Sequence, residues 1–385
     1  MPKSDSHLGF EQGPYRPSHE AGSLALRLVR KCPWNRCTFC RTYGDGPASM
    51  RSLSSILKDI ELVRQYAHRI PMIIKPKGQA DSEMINTLYN SFEIRDRVAF
   101  NAVMGWHHHG MKHIFFQDSD PLAMPVDELL SVLNALRNAF PSVERISAST
   151  RSRSLARMHG KDLERLARAG LDRIYLGVES GSNRILARIR KGMTRETHIQ
   201  AGAMVKSAGI ELAVSVIPGL GGMAFSVEHA LETASALNAI DPDHIFLQSL
   251  VIPRGSILED EEQRHLFERM TDAMVAKEIR LLLESLMGIH SHLTSDHPFN
   301  LFENIHGQLP DDQGAMVQII DEFFDLSDQD RVYYQMGRRM GYFKTIDDMK
   351  NTTALKEIQK ACDTFGVNPD TVDGIVDEMK KYFAL

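Results

Sequence analysis

The chain has 385 residues, with 43% hydrophobic and 25% charged residues and a net charge of −5. That balance fits an ordinary globular protein with room for a large domain and a smaller one, and it excludes a dominant basic surface for nucleic acid. No apolar run approaches the ~18 residues that a membrane helix needs, and residues 1–22 lack the apolar core of a secretory signal. Four cysteines in so long a chain are too few for a disulfide framework, so a reducing cytoplasm is the expected compartment.

In chain order, residues 1–22 mix Ser, Gly, Pro, His and Glu and read as an N-terminal arm. A candidate strand at 24–29 runs straight into a loop carrying Cys32, Cys37 and Cys40. Leu53, Ile56, Leu57, Ile60 and Val63 then follow helical spacing. The long gap before the next strand predicts a helical insertion over about 51–110. Further strands are expected at 112–116, 143–147, 173–178, 212–217 and 244–247, with helices at 127–140, 161–169 and 194–207 between them. Gly170 and Gly209 sit just past helical runs, where a left-handed C-cap is expected.

Strand–helix alternation at this spacing predicts a parallel sheet with crossover helices. The expected fold is α/β: a partial (β/α)6 TIM-like barrel over residues 23–256, then a mostly helical C-terminal cap domain over 257–385, where strand signals fade. In such barrels function gathers at the C-terminal ends of the strands. Polar clusters fall there: Gln117-Asp118-Ser119-Asp120, Ser149-Thr150-Arg151, Glu179-Ser180-Gly181-Ser182 and Pro218-Gly219-Leu220-Gly221-Gly222. Any one of them is explained by the polar turn that follows every strand. Together with the cysteine loop they point to a site.

Three cysteines fall within nine residues, Cys32-Pro33-Trp34-Asn35-Arg36-Cys37-Thr38-Phe39-Cys40. A structural zinc site needs four donors closed in a tetrahedron, usually as two separated pairs, and no second pair is present in the sequence. Inert buried thiols do not suit a loop rich in Pro, Asn and Arg. Thiolates on an iron–sulfur cluster are favoured, with zinc as the alternative, and three thiolates would leave one iron open.

With these motifs the chain resembles the radical S-adenosylmethionine (radical SAM) superfamily over roughly residues 20–255, carried by Cys37-Thr38-Phe39-Cys40, by Gly177-Val178-Glu179-Ser180-Gly181-Ser182 and by Ile217-Pro218-Gly219-Leu220-Gly221-Gly222. Its cluster loop departs from the usual spacing by one extra residue between the first two cysteines and is similar to that of an uncharacterised subgroup. The resemblance implies that Cys32, Cys37 and Cys40 each bind one iron of a [4Fe–4S] cluster, whose remaining iron is chelated by SAM. It also implies that Phe39 lies near the adenine and that Gln117, Asp118 and Asp120 stand at the SAM ammonium. Asp118 and Asp120 are not separable by sequence, since one of them could instead cap the following helix. By the same resemblance Ser147, Ser149 and Arg151 would reach the SAM carboxylate, and Glu179 the ribose or methionyl part. Gly219 and Gly221 would let backbone approach the adenine, with Ile217 and Val251 as apolar walls. The activity implied is reductive cleavage of SAM to a 5′-deoxyadenosyl radical that abstracts hydrogen from a small or medium-sized organic substrate. A flavodoxin or ferredoxin would supply the electron. A non-radical iron–sulfur or zinc protein, acting as a scaffold or electron carrier, is the alternative, as is RNA or peptide modification.

Elsewhere, His107-His108-His109 reads as a solvated turn, Cys362 as a core thiol, and Tyr333, Tyr334, Tyr342 and Phe343 as core of the helical cap. The histidines His290, His292 and His297 sit in a Pro-containing stretch that suggests a lid, a substrate contact, a second metal or a plain connector.

Overall fold

The computed structural model describes residues 1, 3–4, 9–70, 83, 86, 89–90 and 94–383. The rest of the arm and of the insertion expected over 51–110 lies outside the described residues. Eight strands form one sheet: β1 Leu24–Arg27, β2 His113–Gln117, β3 Arg145–Thr150, β4 Arg173–Glu179, β5 Glu211–Val216, β6 His244–Leu247, β7 His292–Thr294 and β8 His306–Gln308. Their order is linear, β8-β7-β6-β5-β4-β3-β2-β1. The pairs β1–β2, β2–β3, β3–β4, β5–β6 and β6–β7 are parallel, while β8 closes the edge antiparallel to β7. The fold is mixed α/β with a largely parallel sheet. Among the described residues no helix is long and apolar enough to cross a membrane.

By its contacts the chain divides into two compact units. Met1–Asn35, Thr42–Leu176 and Ala203–Leu212 make the first, and Arg36–Arg41, Gly177–Gly202 and Ala213–Leu385 the second. In the first, α1 (Leu53–Arg69) starts at Ser52, whose hydroxyl accepts the Ser55 N–H, and buries Ile56, Ile60 and Val63 at the expected spacing. The helix α2 (Ile94–His108) ends on His107 and His108. The helix α3 (Val126–Ala139) buries Leu129, Val132, Leu133 and Leu136, and α4 (Gly160–Arg168) buries Leu163 and Leu166. Gly170 and Gly209 adopt φ of 97° and 73°, as expected of left-handed caps.

The second unit contains α5 (Asn183–Arg188), part of α6 (Arg195–Ser207), α7 (Gly222–Ile240), α8 (Ile257–Gln263) and α9 (Asp272–Ser285), followed by further helices to Phe383. Gly181 has no room for a side chain, because a Cβ there would run into the backbone of Glu232 and Thr233. Cys362, Tyr334 and Phe343 are buried in this helical part, whereas Tyr342 is 48% exposed and so is not core.

Two differences from the sequence reading have clear causes. First, Gln117, Ser149, Thr150 and Glu179 belong to the strands rather than following them. A buried parallel strand can carry hydroxyls if they are bonded: Ser149 donates to the Asp118 carbonyl, and Thr150 to Asp120 at 2.7 Å. Second, β7 and β8 lie within the stretch expected to be mostly helical. At three residues each, with histidines at or near their ends, they give no alternating apolar signal.

The N-terminal arm is docked. Glu20 is fully buried and its carboxylate accepts from Ser147 (2.8 Å), Tyr175 (2.7 Å), Arg145 (3.1 Å) and Ser23. A buried carboxylate is tolerated only with such partners, and removing it strands the Arg145 charge. Glu20→Ala should therefore lower the unfolding free energy by about 3–5 kcal/mol in urea denaturation. A loss below about 1 kcal/mol, the size of an exposed pair, would contradict this.

Candidate functional site

In the first unit, Cys32 is a free, half-buried thiol, and the Asn35 N–H lies 3.4 Å from its sulfur. Asn35 sits in a left-handed turn with φ of 43°. Arg151 places its guanidinium 5.2 Å from the centre of the Trp34 ring.

At the end of β2, Asp118 is fully buried with φ of 73°, a conformation costly for a residue with a side chain. Arg27 on β1 donates to its Oδ2 at 2.6 Å and Tyr43 to its Oδ1 at 3.2 Å. Burial pushes the Asp118 carboxyl up, and Arg27 and Tyr43 oppose the shift. Gln117 is fixed by the arm: the Gly13 N–H donates to its Oε1 at 2.8 Å, and its Nε2 donates to the Gly13 carbonyl at 2.5 Å. A Cβ at Gly13 would run into the Asp118 carboxylate, so only glycine fits there. Glu11 takes Arg30 in two bonds of 2.7 and 2.6 Å and lies 3.8 Å from Arg27.

Asp120 accepts from Thr150 (2.7 Å), Ser154 (2.6 Å) and the Arg151 N–H (3.3 Å), so it organises the turn after β3. That arrangement separates the two aspartates: Asp120 anchors a turn and Asp118 joins a charge network. The Ser119 hydroxyl between them is buried with no hydrogen-bond partner among the described residues. Ser147 faces Glu20 instead.

In the second unit, the turn bearing Cys37 and Cys40, neither of them in a disulfide, is held by its backbone. The Thr38 N–H bonds the Ile189 carbonyl at 3.0 Å, and the Leu258 N–H bonds the Thr38 carbonyl at 3.0 Å. Phe39 packs against the buried cluster Ile185, Leu186, Ile189, Ile217 and Leu220 and against a second of Ile252, Leu258 and Phe267. Val251 is half-buried between Leu250 and Ile252, and both of those neighbours join that packing.

Glu179 ends β4 with φ of 63°. Lys191 binds its Oε1 at 2.7 Å and Ser215 its Oε2 at 3.2 Å. Gly219, with φ of 84°, and Gly222, with φ of 62°, shape the loop after β5. A Cβ on Gly221 would lie 2.9 Å from the Phe225 carbonyl. A cavity of about 40 Å³ lies in this unit, bordered by Gly219, Gln248, Ser249, Asn300, Asp272 and Lys380 among others. Asp272 pairs there with Arg339 (2.6 Å) and Lys380 (2.9 Å). Burial would raise its pKa, but the two cations outweigh burial and hold it low.

Residues 86–234 match the family model described as the Radical SAM superfamily. Over those residues the chain is similar to a radical SAM domain. That domain belongs to a family of enzymes and implies a [4Fe–4S] cluster and SAM as cofactors. Among similar proteins, 4′-phospho-dehydrooxetanocin synthase of Priestia megaterium is 28% identical over 251 residues, 63% of this chain and 30% of that protein. The human mitochondrial tRNA methylthiotransferase CDK5RAP1 is 23% identical over 243 residues, 61% of this chain and 39% of that protein. The match thus spans well under half the length of either relative. Among solved structures, an N-terminally deleted Elp3 from Methanocaldococcus infernus aligns with a TM-score of 0.44 and 17% identity, covering 65% of this chain and 62% of that one.

Sequence reasoning did not find Glu11, Gly13, Glu20, Arg27, Tyr43, Lys191, His229 or Glu278, because their partners lie far along the chain. The histidines singled out in the C-terminal part do not gather. His292 lies edge-on to His244, with ring centres 6.2 Å apart, and His297 packs on Phe299. Among the described residues no three His, Cys, Asp or Glu side chains are grouped to hold a single metal ion. Burial pushes His297 down to about 4, with Asp296 opposing and Arg339 adding to the shift. The folded state therefore favours neutral His297. Its contribution is present above the ordinary value of 6.5 and is lost as pH falls towards 4. Unfolding free energies measured across that window should fall more steeply for the native chain than for His297→Gln. Parallel profiles would contradict it.

Proposed function

We propose that the chain reductively cleaves SAM at a [4Fe–4S] cluster held by Cys32, Cys37 and Cys40, making a 5′-deoxyadenosyl radical that abstracts hydrogen from an organic substrate. The observation that carries this reading is the trio of cysteines, none in a disulfide, on one nine-residue loop. The donor set fits: soft thiolates suit iron–sulfur ligation, and an N–H directed at sulfur, as from Asn35 to Cys32, tunes such ligands.

The chain's own residues supply position and shielding. Phe39 covers the cysteine turn with an apolar face and stands at the adenine. Asp118 and Glu179, both forced into left-handed backbone and both ion-paired, present fixed carboxylates at strand ends; stored strain of this kind clusters at functional sites. The Ser119 hydroxyl, without a hydrogen-bond partner among the described residues, offers a polar contact beside Asp118, where the SAM ammonium is assigned, while Gln117 and Asp120 hold the surrounding backbone in place. Arg151 is assigned to the SAM carboxylate, the guanidinium being suited to a two-point grip, while Ser149, whose hydroxyl proton goes to the Asp118 carbonyl, supports the strand end beside it. Gly219 and Val251 border the adenine. The arm 1–22, barrel 23–256 and cap 257–385 are the proposed domains, with the barrel mouth as the place for a small or medium-sized substrate. A flavodoxin or ferredoxin delivers the electron, and the compartment is the cytoplasm. Similarity to a tRNA methylthiotransferase gives a second reading, in which the substrate is an RNA.

Anaerobically reconstituted protein given SAM and dithionite should release 5′-deoxyadenosine, and Cys37→Ala should release none and lose its iron. Full turnover by Cys37→Ala would overturn the ligand assignment. Product formed faster with added tRNA would favour the second reading.

A further inference from the structure

In the second unit a histidine that no sequence signal marks lies between a helix carboxylate and a strand-end carbonyl. His229, on α7, has a side chain 2% exposed. Its Nδ1 lies 2.8 Å from Glu278 Oε1 on α9, and its Nε2 lies 3.3 Å from the Glu179 carbonyl oxygen. The same Glu278 oxygen accepts the Gly219 N–H at 2.7 Å.

We propose that His229 is held as an imidazolium by Glu278 and acts as a positioning residue, fixing the Glu179 carbonyl and, through Glu278, the Gly219 amide. The proposal rests on the reading above, in which Glu179 and Gly219 face SAM.

A neutral imidazole has one N–H and one lone pair. A lone pair on Nε2 would oppose the Glu179 carbonyl, so Nε2 carries a proton. One further proton lies between Nδ1 and Glu278 Oε1. Hydrogen bonds donated to a carboxyl oxygen favour the carboxylate form, so that proton belongs to the ring. The Gly219 N–H, donated to the same oxygen, favours the carboxylate further.

The surroundings enforce the pairing. Val216, Pro218, Ala230, Ile279 and Leu282 line the space around the pair, with Thr233 as a further polar group. The Thr233 oxygen accepts the Gly181 N–H at 2.9 Å. The nearby Glu179 side chain is bound to Lys191 and Ser215. Glu278 Oε2 is buried with no hydrogen-bond partner among the described residues, so the imidazolium is the cation that offsets this carboxylate. The strained Glu179 backbone is thereby held on two sides, its carbonyl taking the Ile217 N–H at 3.1 Å as well as His229.

The test is nitrogen NMR of the full chain labelled at histidine, near neutral pH, with SAM affinity measured by equilibrium dialysis on reconstituted protein. The native chain should show both ring nitrogens of His229 protonated. Glu278→Gln keeps the shape and removes the charge, so its His229 should become neutral and SAM affinity should fall about tenfold, the scale of one hydrogen bond to a charged group. A neutral His229 in the native chain overturns the proposal, whether or not SAM binds. Unchanged SAM affinity in Glu278→Gln overturns the positioning role. A native chain with protonated His229 that binds no SAM would overturn the reading of the site while leaving the ion pair standing. If Glu278→Gln does not fold, the native spectrum and His229→Gln in the dialysis decide.

Discussion

Parallel strands must all end at the same edge of their sheet, and the chain has to turn there without leaving polar backbone unmet. At two of these ends, Asp118 and Glu179, the turn is made by a charged residue in left-handed backbone, where glycine would be the unstrained choice. Each is held by a cation contributed from elsewhere in its own unit: Arg27 for Asp118 and Lys191 for Glu179. The ion pairs are what keep these carboxylates fixed at the strand ends. Placing a charge where conformation disfavours it makes physical sense only if the charge is needed there.

Around each pair a second set of contacts limits what can move. Gly13 grips Gln117 from the arm and leaves no room beside Asp118 for a side chain. Glu20 ties the arm to β3 and β4. In the other unit, the backbone of Thr38 is bonded on both sides, to Ile189 and Leu258, so the turn between Cys37 and Cys40 is set by main-chain hydrogen bonds rather than by the cysteines themselves. A turn held in this way would lose little conformational freedom on taking up a ligand.

Much of this was legible in the sequence where the signal is local. The cysteine spacing, the apolar runs of β2, β4, β5 and β6, and the glycines at 170 and 209 all act within a few residues, and the structure places the corresponding strands and caps within a residue or two of expectation. Ser149 and Thr150 carry no local strand signal, because a hydroxyl-rich strand looks like a turn until its hydrogen-bond partners are known. The strands β7 and β8 leave no signal in the sequence, because pairing, not hydropathy, makes them strands. Partners such as Glu20 with Tyr175, or His229 with Glu278, depend on contacts between residues far apart in the chain, and neither periodicity nor composition encodes such contacts. Of the two aspartates after β2, only the hydrogen bonds to Thr150 and Ser154 show which one anchors a turn.

The central claim is a cluster bound by three thiolates with one iron left for SAM. Mössbauer spectroscopy of iron-57-enriched, anaerobically prepared protein, with and without SAM, tests it most directly. The account predicts a cubane spectrum in which a single iron site changes when SAM is added. A spectrum that SAM leaves untouched, or protein that takes up zinc and no iron under the same conditions, would contradict it.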